Sequence, residues 1–288
     1  MLRTGLIGRS IMASRSPWLH EQEGRAQGLD LSYTLFDFTQ QGRDDAELGP
    51  LLRQLAEAGY CGVNVTFPFK QAVIPLLDDL AESARMVGAV NTVAMRDGRL
   101  IGHNTDMPGF QDSMIQGLPG AKLDRVLQLG AGGAGAAVAN ALLALGTGVL
   151  ELADVDPARA AKLADTLCAR FGAGRAVAWD MAEIDTVAID GIVNTTPMGM
   201  AANPAPAISP DLIAPRHWVA DIVYFPLETE LLRIARAKGC RVLPGSGMVV
   251  SQAALAFEIM TGRKADAARM AASFLGGAAA TAQEWSPL

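Results

Sequence analysis

Gly130-x-Gly132-x-x-Gly135, with Asp154 placed 19 residues past the last glycine, is a set of residues suited to holding a dinucleotide. The first glycine permits a tight turn, the second lets the backbone approach a pyrophosphate, and the third lets a helix and a strand pack closely. The pyrophosphate then rests on unpaired amides at a helix N-terminus, including those of Ala131, Gly133 and Ala134, where the helix dipole favours negative charge. An acid at the tip of the next strand accepts hydrogen bonds from a ribose diol. Asp154 also has a plainer reading, as the N-cap of the helix that follows it.

The front of the chain carries a second group of polar residues. Ser14-Arg15-Ser16-Pro17 puts two hydroxyls just before a proline-started helix. Taken alone, Ser16 reads as an N-cap with Pro17 at the first helical position, yet two hydroxyls beside an open helix N-terminus also suit a carboxylate. Asn64-Val65-Thr66-Phe67-Pro68-Phe69-Lys70 sets polar groups at the end of an apolar strand. Thr66 favours strand in any case, and a lysine is most often a solvated surface residue. Asn91 lies in the apolar run Gly88-Ala89-Val90-Asn91-Thr92, where a buried amide needs partners. Gly102-His103-Asn104-Thr105-Asp106 ends another strand in an acid, a type also common in turns. One lysine, one aspartate, two asparagines and several hydroxyls at strand ends suit a small polyhydroxylated acid. His103 is the obvious acid–base candidate by residue type. Strand alternation, however, points it away from a site that Asn104 and Asp106 face. His20 and His217 read as structural.

These groups need elements to position them. Val126 to Leu129 is a short strand, the helix after the glycines repeats Val138, Ala141, Leu142 and Leu145 at helical spacing, and Gly146 and Gly148 end it before a strand from Val149 to Ala153. Later strands are expected at Gly191 to Val193, Trp218 to Ile222 and Arg241 to Leu243. Alternation of strand and helix implies a mostly parallel, doubly wound α/β sheet. Upstream, strands are expected at Leu2 to Gly8, Tyr33 to Phe38 and Gly62 to Thr66, with helices near Pro17, from Ala46 to Ala58 and from Gln71 to Leu80, the last with a possible kink at Pro75. Asp97-Gly98 marks a hairpin between Val90 to Met95 and Arg99 to Gly102. The expected organisation is an N-terminal α/β substrate domain, residues 1–110, completed by helices within 247–288, and a Rossmann-type domain, residues 111–246, with a ligand cleft between them. The closing helices run from Met248 to Met260 and Asp266 to Phe274, ahead of a frayed Ala/Gly-rich tail.

Bulk properties narrow the function classes. At 288 residues, 50% apolar and 19% charged, the chain reads as a soluble α/β protein of about two domains. A net charge of −6 without a basic block argues against nucleic acid and anionic membranes as partners. Cys61, Cys168 and Cys240 are far apart with no metal-type spacing, so no metal is expected and reduced thiols in the cytoplasm are. The start reads straight into a strand without a signal pattern, and no apolar run is long enough to span a membrane. A monomer or homodimer acting on a small molecule is the expected state.

Taken in order, the motifs resemble the shikimate/quinate dehydrogenase family. The matching segments are Gly5-Leu6-Ile7-Gly8, Ser14-x-Ser16-Pro17-x-x-His20, Asn64-Val65-Thr66-x-Pro68-x-Lys70, Gly88 to Thr92, Gly102-x-Asn104-Thr105-Asp106-x-x-Gly109-Phe110, Gly130 to Gly135, Asn194-x-Thr196-Pro197-x-Gly199-Met200, Asp221-x-Val223-Tyr224-x-Pro226-x-x-Thr229 and Gln252. The resemblance implies that Ser14 and Ser16 bind the substrate carboxylate. It implies that Thr66, Asn91, Asp106 and Gln252 meet the ring hydroxyls with Tyr224 nearby, and that Lys70 and Asp106 form the catalytic pair. It further implies that Thr195, Thr196, Pro197, Val223 and Gly245 join the glycine turn and Asp154 in holding the cofactor.

The same comparison addresses the choice of cofactor and acid. NADP-using members of the family carry Asn-Arg-Thr just past the second strand, and this chain has Asp154-Val155-Asp156, with Arg159 a helical turn further on. Two carboxylates repel a 2′-phosphate, so NAD is expected over NADP. An NAD enzyme suits alcohol oxidation, which leans toward the quinate- and shikimate-oxidising branch. Ser16, where some quinate users have threonine, leans toward shikimate. Glu21-Gln22-Glu23-Gly24 and Met248-Val249-Val250-Ser251-Gln252 depart from the family pattern and suggest a divergent branch with an altered acid, such as an amino-substituted one. A non-catalytic ligand sensor of the same fold is the alternative from another function class.

Overall fold

A computed structural model describes residues 1–284, and the chain divides into two compact units, Met1–Thr105 with the chain from Val250 onward, and Asp106–Val249. The first unit holds a six-stranded sheet of β1 (Leu2–Gly8), β2 (Leu31–Asp37), β3 (Gly62–Val65), β4 (Asp79–Leu80), β5 (Thr92–Arg96) and β6 (Arg99–His103), in the order β2-β1-β3-β5-β6-β4. β1 runs parallel to β2 and β3, and β5 is antiparallel to β3 and β6. The β5–β6 hairpin closes where Asp97 (φ 51°) and Gly98 (φ 74°) both take the left-handed backbone that a tight two-residue turn requires.

Four helices precede the end of this sheet: α1 (Ser16–Ala26), α2 (Leu48–Glu57), α3 (Phe69–Ala72) and α4 (Glu82–Val87). In α2, Leu48, Leu51, Leu52 and Leu55 recur at three- and four-residue spacing and are buried. A capping box formed by Asp44 and Glu47 starts a short 3-10 turn just ahead of it. The single helix expected from Gln71 to Leu80 does not form. α3 stops at Ala72, a 3-10 turn spans Ile74–Leu76, and Asp79–Leu80 joins the sheet as β4. Pro75 lacks the amide that would continue the ladder, which is enough to break so short a helix.

The second unit is an all-parallel sheet of β7 (Arg125–Leu129), β8 (Val149–Ala153), β9 (Ala176–Trp179), β10 (Gly191–Asn194), β11 (Trp218–Asp221) and β12 (Arg241–Leu243), ordered β12-β11-β10-β7-β8-β9. Its helices are α5 (Asp106–Gly117), α6 (Gly133–Ala144), α7 (Pro157–Phe171) and α8 (Glu230–Ala237). Strand order reverses between β7 and β10, the doubly wound arrangement whose switch point receives ligands outside the carboxyl ends of the strands. β9 is an edge strand of only four residues, Ala-Val-Ala-Trp, two of them exposed, too short to show a period in the sequence.

α9 (Ser246–Thr261) and α10 (Ala267–Glu284) close the chain. In the first unit, Ile7, Val63, Val93 and Leu100 pack with Phe38, Phe69 and the α2 leucines, while Leu6 and Tyr33 pack with Ala256 and Met260. Neighbouring residues of β1 thus face opposite layers, as strand alternation demands. Where a frayed tail was expected past Phe274, α10 continues to Glu284. The segment Glu21 to Gly24, which departs from the family pattern, makes local structural contacts. The Glu21 carboxylate accepts from the Tyr33 amide at 3.0 Å, and Glu23, buried in α1, accepts from Arg269 at 2.7 and 2.8 Å, Gln27 at 2.7 Å and the Asp266 amide at 3.0 Å. Burial raises the Glu23 carboxyl, but these donors outweigh it and hold it below the usual carboxylate range.

His20 is fully buried, its ring 4.7 Å from that of Tyr33, and its Nδ1 has no hydrogen-bond partner. Burial pushes it down to about 3. The folded chain therefore keeps His20 neutral where an unfolded one near 6.5 takes a proton, so stability is full above pH 6.5 and falls as pH drops toward 3. Between pH 7 and 5.5 this costs about 1 kcal/mol. His20→Phe is expected to remove that increment from the urea unfolding free energy measured at the two pH values. An unchanged difference would show that another group sets the acid response.

Candidate active site

In the first unit the sequence-selected residues gather at the ends of β1, β3, β5 and β6. Ser14 and Ser16 follow β1, with their hydroxyls 3.2 Å apart and the Ser14 oxygen accepting from the Ser16 amide at 3.3 Å. Ser16 does not cap α1, as one reading of the sequence had it. It is the first helical residue, the position ahead is Arg15, and no side chain caps the helix. Both hydroxyls are half-buried beside uncapped helix amides, the arrangement suited to a carboxylate.

Asn64, at the end of β3, is used within the fold. Its oxygen accepts from the Tyr33 hydroxyl at 2.8 Å and its amide donates to the Thr92 hydroxyl at 2.9 Å and the Asn91 carbonyl at 3.2 Å. Asn91 is buried, donating to the Thr105 hydroxyl at 2.8 Å and accepting from the Thr105 amide at 2.8 Å. Thr105 in turn lies 3.5 Å from the Gln252 oxygen on α9. The fold thus unites Asn91, Thr105 and Gln252, 161 residues apart at the extremes. Thr105 is the link that sequence reading did not single out.

Thr66 sits just past β3, half-buried, and its amide donates to the Ile7 carbonyl at 2.9 Å. Lys70 is half-buried in α3, and its carbonyl accepts from the Val90 amide at 2.7 Å, which ties α3 to the segment that carries Asn91. Phe69, 1% exposed, seals the same turn into the core. Asp106 is the buried first residue of α5, directly after Thr105 in the chain. His103 is half-buried, and burial, with a smaller contribution from Arg96, pushes it below the ordinary imidazole range.

In the second unit the glycine turn lies between β7 and α6. Gly130 has φ 97°, and a Cβ there would sit 2.7 Å from the Thr195 hydroxyl. A Cβ on Gly135 would lie 2.5 Å from the Gly130 carbonyl oxygen, so only glycine lets α6 approach β7 this closely. Gly132, by contrast, faces open space, and no side chain caps α6. That is the cradle a pyrophosphate needs, with helix amides turned toward room beside the backbone. Gln128, fully buried in β7, donates to the Gly130 and Gly135 carbonyls, both at 2.9 Å, and Thr195 donates to the Leu129 and Gly130 carbonyls at 2.8 and 2.9 Å. A lone glutamine in an apolar strand gave no signal of this role.

Asp154, at the tip of β8, accepts from the Ala131 amide at 2.7 Å and the Asp156 amide at 2.9 Å. It is not the cap of α7. Asp156 is, accepting from the Ala158 and Arg159 amides at 3.1 and 3.4 Å. Each Asp154 oxygen takes one amide, and a carboxylate oxygen has room for a second donor. Arg159 lies 3.7 Å from both Asp154 and Asp156.

The loop after β10 leaves the sheet next to this turn, and those after β11 and β12 follow at the carboxyl ends of the next two strands. Thr196 is half-buried, Pro197 is exposed and Val223 is buried. Tyr224 is half-buried by surface area, and burial raises its phenol. A Cβ on Gly245 would lie 2.5 Å from the Ile222 carbonyl oxygen, so the β12 loop packs directly on the β11 loop. Asp221 is 1% exposed, and burial pushes it up to about 6. Among the described residues no cluster of three or more His, Cys, Asp or Glu is arranged to hold a metal ion, and no helix is long and apolar enough to cross a membrane.

Comparison with known proteins agrees with these features. Residues 6–93 match the family model described as shikimate dehydrogenase substrate binding domain, and residues 245–273 match the shikimate 5′-dehydrogenase C-terminal domain. A shikimate dehydrogenase (NADP(+)) of Streptomyces avermitilis is 52% identical over 283 residues, covering 96% of each chain. A quinate/shikimate dehydrogenase (NAD(+)) of Corynebacterium efficiens is 46% identical, covering 94% of this chain and 96% of that one. The solved structure of quinate dehydrogenase from Corynebacterium glutamicum in complex with NAD superposes with a TM-score of 0.89 at 46% identity, covering 96% of this chain and 99% of that one. With this identity over nearly its whole length, the chain belongs to the shikimate/quinate dehydrogenase family.

Proposed function

We propose that this protein is an NAD-preferring dehydrogenase that interconverts shikimate and 3-dehydroshikimate, quinate and 3-dehydroquinate, or both, acting in the cytoplasm as a monomer or homodimer. The observation that carries the reading is the presence of two built groups of residues, one in each unit. One is the strand-end group of Ser14, Ser16, Thr66, Lys70, Asn91 and Gln252, and the other is the glycine cradle with Asp154.

In this reading the Ser14 and Ser16 hydroxyls donate to the substrate carboxylate, and Thr66, Asn91, Asp106 and Gln252 orient the ring hydroxyls with help from Tyr224. The residues of the cradle fit a dinucleotide. The Ala131 amide, expected to be unpaired, is taken up by Asp154 at 2.7 Å. The amides from Gly132 to Gly135 would therefore hold the pyrophosphate with Ala131 lining the turn, Asp154 the adenosine ribose, and Thr195, Thr196, Pro197, Val223 and Gly245 the remainder. When bound, the nicotinamide supplies the hydride acceptor for alcohol oxidation. Lys70 takes the proton from the reacting hydroxyl oxygen, and Asp106 orients that hydroxyl and the Lys70 amine. In the reducing direction the protonated Lys70 returns the proton to the forming alkoxide.

The preference for NAD rests on the end of β8. The nearest arginine, Arg159, is already countered by two carboxylates at 3.7 Å, which supports a diol rather than a phosphate there. This reading is independent of overall identity, in which the NADP-named relative leads at 52% against 46%. The test is absorbance at the NADH band, with shikimate and quinate each offered with either cofactor. Reduction of NAD by at least one acid is expected. Binding without any cofactor reduction would instead identify a ligand sensor.

A further inference from the structure

We propose that Asp221 is a positioning residue for the dinucleotide, holding the loops after β10 and β11 in the one arrangement that can receive it. This rests on the reading of those loops as the nucleotide side. The case begins with what converges on one side chain. Asp221 ends β11, and its carboxylate accepts from three segments: the Asn194 side-chain amide at the end of β10 (2.9 Å), the Val223 amide in its own loop (3.0 Å) and the Thr229 hydroxyl at the start of α8 (2.6 Å). Asn194 extends the chain of bonds into the β10 loop. Its oxygen accepts from the Thr196 amide and hydroxyl at 3.0 and 2.7 Å, and its amide also donates to the Met198 carbonyl at 2.9 Å. Next in that loop, Thr195 bonds the carbonyls of the glycine turn. Bonds and the short chain step from Thr195 to Asn194 therefore link the turn through the β10 loop to the β11 loop, and Asp221 is bonded at once to the end of β10, to the β11 loop and to the start of α8.

The packing is equally close. Gly199 has φ 96°, and a Cβ there would lie 3.2 Å from the Thr229 methyl and 3.5 Å from the Asp221 carboxylate, so the β10 loop folds directly over this junction. A carboxylate suits the position because it accepts only. All three donors point inward, and none of the loops can turn over without orphaning one. Burying it among neutral donors is costly, which argues for a role beyond pinning a strand end that an apolar contact would pin as well. Thr229 is shared in the same sense, since its hydroxyl oxygen also accepts from the Leu232 amide at 3.4 Å as the α8 cap.

The test is calorimetric titration of NAD into the full chain, at a temperature where circular dichroism shows every protein folded, for the wild type, Asp221→Ala, Asp221→Asn, Thr229→Val and Thr229→Ser. Asp221→Ala is expected to weaken NAD about fivefold and Asp221→Asn by less, because the amide keeps one accepting oxygen. Thr229→Val is expected to weaken it about threefold and Thr229→Ser to bind as the wild type, because the hydroxyl survives. The KM for the cyclic acid at saturating NAD should stay within twofold throughout. Equal NAD affinity in Asp221→Ala and the wild type overturns the positioning role alone, as does parallel loss of NAD and acid affinity, which marks a general structural effect. Failure of the wild type to bind NAD overturns the underlying reading and this inference with it.

Discussion

Lys70→Ala is expected to lower kcat by roughly 10²–10⁴ while affinity for the cyclic acid stays within about tenfold. A secondary alcohol cannot release hydride without giving up its hydroxyl proton, and Lys70 is the base assigned to that proton. The structural reason to expect a clean effect is the way α3 is held. Phe69 is buried in the core and the Lys70 carbonyl bonds the Val90 amide at 2.7 Å, so the backbone stays fixed when a half-buried side chain is cut back. The loss then falls on the chemical step rather than on folding. The carboxylate binding proposed for Ser14 and Ser16 would be untouched, which would keep KM near its original value. Steady-state kinetics on the purified variant checks this, and turnover equal to the wild type would remove Lys70 from the mechanism.

The cofactor preference is the second large effect. NAD is expected to be used at least tenfold more efficiently than NADP, compared as kcat/KM. A 2′-phosphate would bring about two negative charges next to Asp154 and Asp156, and like charges brought together at an interface cost several kcal/mol. Tenfold requires only about 1.4 kcal/mol, so the expectation leaves room for screening by salt. Asp156→Asn sharpens it. Asparagine keeps the cap on α7 but removes one of the two charges that counter Arg159, so the variant should narrow the gap by improving NADP rather than by harming NAD. Equal efficiency with the two cofactors in the wild type would defeat the reading of β8.

What could be read in advance follows from how local each signal is. β1 and β8 were legible to the residue, because a short apolar run bounded by turn residues has few other fates. The glycine turn and the Asp97-Gly98 hairpin were legible because each needs backbone angles that few residues adopt. β4, two residues long, and the half-exposed β9 carried no period to detect. The plainer alternative for Asp154, a cap on α7, is excluded by the fold alone. Asp154 and Asp156 are two residues apart and equally able to cap α7, and only the fold shows that Asp154 is taken up by the Ala131 amide.

Within the site, Asn91 was recognisable as a buried amide in need of partners, but not that Thr105 would be one. The structural role of Glu23 was not legible because its partner Arg269 lies 246 positions away. Gln128 is a buried polar group whose bonds to the glycine-turn carbonyls no pattern in its strand reports, and Asp221, though part of a family motif with Val223 and Thr229, gives no sign in sequence of its bond to Asn194 across the sheet.

The central claim, that Lys70 and Asp106 act on one hydroxyl of a cyclic acid, is tested most directly by a crystal structure with the acid and the reduced dinucleotide both bound. The account predicts the Lys70 Nζ and an Asp106 carboxylate oxygen each at about 2.6–3.2 Å from the reacting oxygen. A reacting oxygen out of reach of the Lys70 amine, with another side chain or water in its place, would contradict it.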